Sequence, residues 1–300
     1  MRYIDKNIYK QDFDIYTKEY LKSAQNYMEG GFIPPLGDKA SYGGFSKRDY
    51  KYISISGKSN FKGWSDILLQ EQNGMCCYCM RKLEITEVSV EHLIPESFEG
   101  LDEIEEYNFY TSLVPQIRQN VITGSRFDKI SNRIKIDVDR LSRMPHLIAH
   151  SNLFSACCSN GIGCSCNNNR GNHRVLPMMI MNNTNEWLKY NEEGELVLTY
   201  PDYEIASNTI RYLQINSSGL KEIRELWYLF SRKNIYLEHD SDIEFKDRDD
   251  FIRKALNLDS TTVLPSKYHK YLNSDSDFYW KRFLKFNWFY QYYLDNYPIN

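Results

Sequence analysis

Cys76-Cys77-Tyr78-Cys79 is followed twelve residues on by Glu91-His92-Leu93-Ile94-Pro95. A second stretch answers it: Asn152-Leu153, then Cys157, Cys158 and Cys164, then Cys166-Asn167-Asn168-Asn169-Arg170-Gly171. All seven cysteines of the 300-residue chain lie in these two stretches. Two thiolates three residues apart can reach one tetrahedral ion, so Cys76 and Cys79 read as half of a structural zinc site. The other half must come from Cys157, Cys158, Cys164 and Cys166, four sulfurs where two suffice. The spacing does not choose between them. The distribution predicts a metal clamp that draws two distant segments around Glu91-His92.

Composition sets the frame for that clamp. A hydrophobic content of 42% with 26% charged residues belongs to a globular chain with a sizeable core, and 24 Tyr and 15 Phe make large rings dominate its packing. The net charge of −3 carries no global signal for a polyanion, so nucleic-acid binding would need a local basic surface. Met1-Arg2-Tyr3-Ile4-Asp5-Lys6 lacks the charged-then-apolar pattern of a signal peptide, and no apolar run approaches membrane-spanning length. The expectation is a cytoplasmic protein that does not engage a membrane, in a compartment where an odd number of clustered cysteines favours metal thiolates over disulfides.

Outward from the two stretches, the pattern predicts an α+β protein with mainly helical flanks. Phe13, Ile15, Tyr16, Tyr20, Leu21 and Met28 recur at helical spacing over 11–28. Residues 30–60, with Pro34-Pro35 and Gly43-Gly44, read as loop, and Trp64–Gln72 as a short helix. Val88–Leu93 reads as a strand, and Arg133–Asp139 alternates as a second one with a charged outer face. Glu195–Tyr200 reads as a strand. Ser217-Ser218 precedes a helix whose Leu220, Ile223, Leu226, Trp227 and Phe230 share a face. The last element, Tyr279–Tyr297, is aromatic nearly all round and is expected in the core. Three regions follow: an N-terminal helical segment over 1–70, a core over 71–180 with a long insertion at about 96–150, and a mainly helical region over 181–300.

The residues around the clamp suit hydrolysis. A neutral imidazole such as His92 can take a proton from water at physiological pH. A carboxylate such as Glu91, with an amide oxygen, can hold Mg²⁺ or another hard divalent ion and leave positions for water and phosphate. That ion stabilises charge on the phosphate and the leaving oxygen. Asn152 has both donors and acceptors with which to orient the histidine.

The order Cys-x-x-Cys, Glu-His-x-x-Pro, Asn-Leu, Cys-Asn-x-x-Arg-Gly resembles the HNH (ββα-metal) endonucleases. Met1–Lys6, Trp64 upstream of Gly74–Cys79, Asn152–Cys157, and Thr209-Ile210 through Leu213–Asn216, Leu220 and Arg224 make the chain similar to the HNH proteins of Septu-type anti-phage systems, some encoded beside retrons. The resemblance implies a zinc-stapled ββα-metal core, with His92 as general base and Glu91 as a ligand of the catalytic metal. It implies Asn152 as the residue orienting His92, and Asn167 as the second protein ligand of that metal, with Asn168 and Asn169 as alternatives. Cys76, Cys79, Cys157 and Cys166 would hold the structural zinc, and Arg170 and Arg174 would lie near the scissile phosphate. The implied partners are a nucleic-acid substrate, DNA ahead of RNA, an ATPase of the ABC/recombination-repair type, and in some systems a retron RNA/DNA complex. One feature departs from a compact motif: 59 residues separate His92 from Asn152. The alternatives are an RNA nuclease, for instance of tRNA, with the same centre, and a non-catalytic zinc-bound nucleic-acid-binding or scaffold subunit.

Overall fold

Helix α1 (Lys10–Glu29) buries Phe13, Tyr16, Tyr20 and Leu21 against α2 (Trp64–Glu71), whose Trp64, Ile67 and Leu68 complete the contact. The computed structural model that shows this describes residues 2–29, 63–96, 98, 100–131, 137–158, 166–181, 184–199, 203–239, 247–273 and 276–298. The expected 30–60 loop and Cys164 lie outside the described residues. Beyond α2, the chain turns at Asn73 and Gly74, both at positive φ, into the Cys76–Cys79 knuckle. The architecture is mixed α+β, and among the described residues no helix is long and apolar enough to cross a membrane.

The knuckle is followed by β1 (Val88–His92), which pairs antiparallel with β4 (Leu153–Cys157). Their register sets Val88 opposite Cys157, Glu91 opposite Phe154 and His92 opposite Leu153. An isolated two-stranded ribbon is marginal in water, so this one needs support on both faces. The uncharged run Leu153–Cys157 is buried at every residue. The free edge of β4 is satisfied by side chain and knuckle: Ser155 N donates to Gln72 Oε1 at 2.8 Å, and Ser155 O accepts from Gln72 Nε2 at 2.8 Å and from Cys77 N at 3.0 Å. A short helix after β4 (Cys166–Arg170), labelled α6 below, then packs on the ribbon.

The insertion between β1 and β4 has its own structure. It comprises α3 (Glu103–Leu113), α4 (Pro115–Asn120), β2 (Val121–Ile122), α5 (Gly124–Ser131) and β3 (Met144–Pro145), with β2 and β3 parallel. Asp102 caps α3 by accepting from Glu105 N at 2.8 Å, and Pro115 opens α4 where a missing N–H costs nothing. The strand expected over Arg133–Asp139 falls mostly on residues outside those described. Its end is a single 3₁₀ turn, Val138–Arg140, because the Asp137 carboxylate accepts from Asp139 N and closes a turn instead of a ladder.

In the C-terminal region, α7 (Thr184–Trp187) leads into the hairpin β5 (Leu188–Tyr190) and β6 (Leu196–Leu198), followed by α8 (Glu204–Tyr212), α9 (Ser218–Arg232) and α10 (Arg248–Leu256). The expected α9 face is buried at Leu220, Ile223, Leu226, Trp227 and Phe230, each worth about 1.5–3 kcal/mol of burial for an aliphatic or Phe side chain. The final aromatic element is core, but it is two helices, α11 (Asp277–Leu284) and α12 (Trp288–Asn296). The break has a tertiary cause. Lys285 O accepts from Lys82 N at 2.7 Å, and Lys285 Nζ binds both oxygens of Glu87 at 3.0 and 2.9 Å, just before β1. The aromatic end of the chain is thereby fastened to the knuckle.

Candidate metal centre and the Glu91-His92 site

The ribbon and α6 bring one sulfur set together. The Sγ atoms of Cys76, Cys79, Cys157 and Cys166 all lie within 4.8 Å of one another, and all four residues are buried. A tetrahedral ion bonded to thiolates at about 2.3 Å holds its sulfurs about 3.8 Å apart. Cys79 and Cys157 Sγ are 3.8 Å apart. Backbone N–H groups point at the sulfurs as they would at thiolates: Cys157 N donates to Cys76 Sγ and Cys166 N to Cys157 Sγ, each at 3.4 Å. Burial raises the Cys76 thiol, but contacts with the sulfurs of Cys157, Cys166, Cys77 and Cys79 outweigh it and hold the thiol well below its ordinary range. The four cysteines can therefore hold a metal ion such as zinc.

Among the described residues, the same geometry decides between Cys157 and Cys158. Successive side chains on a strand face opposite ways, so Cys157 and Cys158 cannot both turn inward. Cys158 Sγ donates to Glu87 O at 3.3 Å instead. Cys77, also buried, is pushed well up by burial and by Cys76 beside it, and stays a thiol.

Glu91 and His92 end β1 and face opposite sides of it. Glu91 points toward α6, where Arg170 Nη1 binds its Oε1 and Tyr78 Oη donates to the same oxygen at 3.2 Å. Arg170 is itself buried. It also donates to the carbonyls of His92 and Leu93, the latter at 2.6 Å, and to Tyr110 Oη at 3.2 Å. Asn167 lies on this side too, its amide donating to Ser89 Oγ, two residues from Glu91 on the same face of β1. Asn169 turns to the Leu213 carbonyl and Asn168 is exposed, so Asn167 is the asparagine nearest Glu91's face.

His92 lies on the other side with Nε2 3.0 Å from Leu147 O. A carbonyl only accepts, so the proton is on Nε2 and Nδ1 is the basic nitrogen. Burial depresses His92 to about 3. The expected bond from Asn152 to the ring is replaced by bonds to main chain: Oδ1 accepts from Ile94 N at 2.7 Å, while Nδ2 donates to Ile94 O at 3.1 Å and His146 O at 2.8 Å. An amide pairs better with a peptide's own N–H and C=O than with one ring nitrogen, so Asn152 fixes the turn that follows His92 rather than the ring.

Arg170 and Arg174 are both engaged, contrary to a role as open phosphate ligands. Arg174 donates through Nε to Glu106 at 2.9 Å and through Nη2 to Glu105 at 2.7 Å, both on α3, and lies over the Phe109 ring. Together with Tyr110–Arg170 and Leu147–His92, this closes the insertion over the site. Glu91 is 2% exposed and His92 6%. Tyr78, Tyr110 and Leu147 escape sequence reading because nothing in their spacing marks them. Arg170 is legible as a residue but its partner, 79 positions away, is not. No family model matches the chain, and no curated protein or solved structure matches it.

Proposed function

We propose that the chain is an HNH-type nuclease that hydrolyses phosphodiester bonds, of DNA in the first instance, as the effector of an anti-phage system with a partner ATPase of the ABC/recombination-repair type. The observation that carries this reading is the adjacency of Glu91 and His92 at the end of β1, with Asn167 of α6 on Glu91's face and the four-cysteine cluster fastening α6 to the ribbon. The order of the motif residues supports it independently. Zinc is the ion the four sulfurs suit.

Mg²⁺ or another divalent ion does not fit beside Glu91 in the arrangement described, because the Arg170 guanidinium occupies the carboxylate. The reading therefore includes an opening step: the insertion lifts, Arg170 gives up Glu91, and Glu91 and Asn167 become available to a divalent ion. Such an ion would stabilise charge on phosphate and leaving oxygen. His92 changes in the same movement. A base held at about 3 by burial is weak, and hydration returns it toward the ordinary 6.5, near the optimum for proton abstraction at neutral pH. Arg170, once released, has the planar fork that suits a phosphate.

The buried Glu91–Arg170 pair also favours a second reading, a non-catalytic zinc-bound nucleic-acid-binding or scaffold subunit. Purified chain, alone and with its partner ATPase, incubated with plasmid, single-stranded DNA and tRNA separates the readings. The nuclease reading expects cleavage that needs added Mg²⁺ or Mn²⁺ and disappears in His92→Ala. Cleavage of tRNA alone moves the substrate to RNA, a cyclic-phosphate end sinks the metal-water chemistry, and defence activity untouched by His92→Ala establishes the scaffold.

A further inference from the structure

We propose that His173 and Tyr212, with Arg211 beside them, form a shelf on which an unpaired base of a single-stranded nucleic acid stacks next to the Glu91-His92 centre. The inference deepens the nuclease reading and rests on it for the identity of the neighbouring site. His173 is exposed in the turn after α6, and Tyr212 ends α8. Their ring centroids are 3.9 Å apart and the planes differ by 3°. One face of the imidazole is thus covered, and Tyr212 is the only ring it meets among the described residues. The exposed ring offers its other face to solvent.

The same stack carries a positive charge on Tyr212. Arg211 is exposed, its guanidinium sits 4.9 Å from the Tyr212 ring centre, and Nη2 donates to Tyr212 Oη at 3.1 Å. No carboxylate among the described residues pairs with it. An exposed aromatic ring backed by a second ring that also carries a guanidinium is a combination that binds single strands without reading sequence. A duplex offers no free base face, so the shelf selects unpaired nucleotides.

The shelf is tied to the centre by hydrogen bonds. His173 N donates to Arg170 O at 3.0 Å, and Arg170 Nε donates to His173 O at 3.3 Å. Arg170 is the residue that holds Glu91. Leu176 N donates to Thr209 Oγ1 at 2.8 Å, which fixes α8, and with it Tyr212, against the same segment. Opening at Arg170 therefore acts directly on the turn that carries His173.

The test measures binding without cleavage, so its failure is distinct from failure of the nuclease reading. Full-length protein carrying His92→Ala, without added divalent ion, is titrated with single-stranded DNA, single-stranded RNA and duplex DNA of one sequence containing 2-aminopurine. The expected result is binding of both single strands with quenching of 2-aminopurine, and weaker, unquenched duplex binding. Adding His173→Ala should lose about tenfold in affinity, the scale of one base on one aromatic ring, and the quenching with it. His173→Trp should restore both. His173 is exposed, so metal content and circular dichroism should stay unchanged in these variants. Single-strand affinity of His173→Ala within twofold of its parent, quenching that survives the substitution, or no oligonucleotide binding at all would overturn the shelf. Stacking that persists in a protein that never cleaves leaves it standing.

Discussion

Removing both charges of the Glu91–Arg170 pair should cost much less than the two single removals added together. Both side chains are 2% exposed, so neither charge can fall back on water when its partner is lost. Arg170→Met keeps the stem volume and removes the guanidinium. It leaves a buried carboxylate with only Tyr78 as donor among the described residues and takes donors from the His92 and Leu93 carbonyls. An uncompensated buried charge costs about 3–5 kcal/mol. Glu91→Gln is milder, about 2 kcal/mol, because Arg170 keeps two carbonyls and Tyr110 Oη as acceptors. Additivity would put the double variant near 6 kcal/mol, whereas removal of both charges should cost about 3. The coupling of about 3 kcal/mol is readable by urea unfolding followed by tryptophan fluorescence at constant zinc. A double variant that equals the sum of the singles within about 0.5 kcal/mol would refute the pairing. The Arg170→Met protein carries a further readout. With Glu91 unpaired, Mg²⁺ should raise its melting temperature, as it should not in Arg170→Met with Glu91→Gln.

Replacing Cys79 or Cys166 with Ser should remove one bound zinc per chain, measured by atomic emission, and unfold the ribbon. Cys158→Ser should keep the metal, since its thiol bonds the Glu87 carbonyl. Acid should destabilise the fold through buried histidines: burial holds His92 at about 3 and His146 and His150 at about 4. Their folded values lie below the unfolded 6.5, so the unfolded chain binds protons first as pH falls. The stability they contribute is present above 6.5 and is lost from there down toward 4, and for His92 down toward 3. At pH 5 each costs about 2 kcal/mol, and a urea midpoint flat between pH 7.5 and 5 would contradict this. Gly194→Ala should cost about 3 kcal/mol, because φ is +75° and a Cβ would stand 2.3 Å from Lys221 O and 2.9 Å from Arg224 Cβ. Gly74→Ala, at φ +74° with nothing near its Cβ, should cost only about 1–2 kcal/mol, and equal melting temperatures for the two would remove the steric argument.

Local signals survived folding where one residue type does one job. Cys76-x-x-Cys79 announces a ligand pair, and the α9 face announces its burial by period alone. Choosing Cys157 over Cys158 needed the β1–β4 register, which no spacing contains. Lys285-Phe286-Asn287 carries no strong helix breaker. The break there is imposed by Glu87 and Lys82, about 200 positions earlier, so propensity could not show it. Asn152 was legible as a polar residue that matters, but its partner is a peptide group, which every residue possesses and none advertises. Glu91 reads as an open ligand until Arg170 is placed against it.

The two halves of the sulfur set also impose a clock on the making of this protein. Cys76 and Cys166 are 90 positions apart, and β1 has no partner until β4 emerges. At about 5–20 residues per second, a ribosome carries Cys76 and Cys79 for roughly 5–18 seconds before the last sulfur is made. For most of that interval Glu91 and His92 exist in the nascent chain without α6 and Arg170, and until Cys157 is made without the complete ribbon. A chain that ends inside the insertion, by arrest or by a truncating codon, holds two of the four clustered sulfurs and no centre. Assembly is therefore all-or-none along the message as well as in space, and everything past Leu153 decides whether the first half was worth translating.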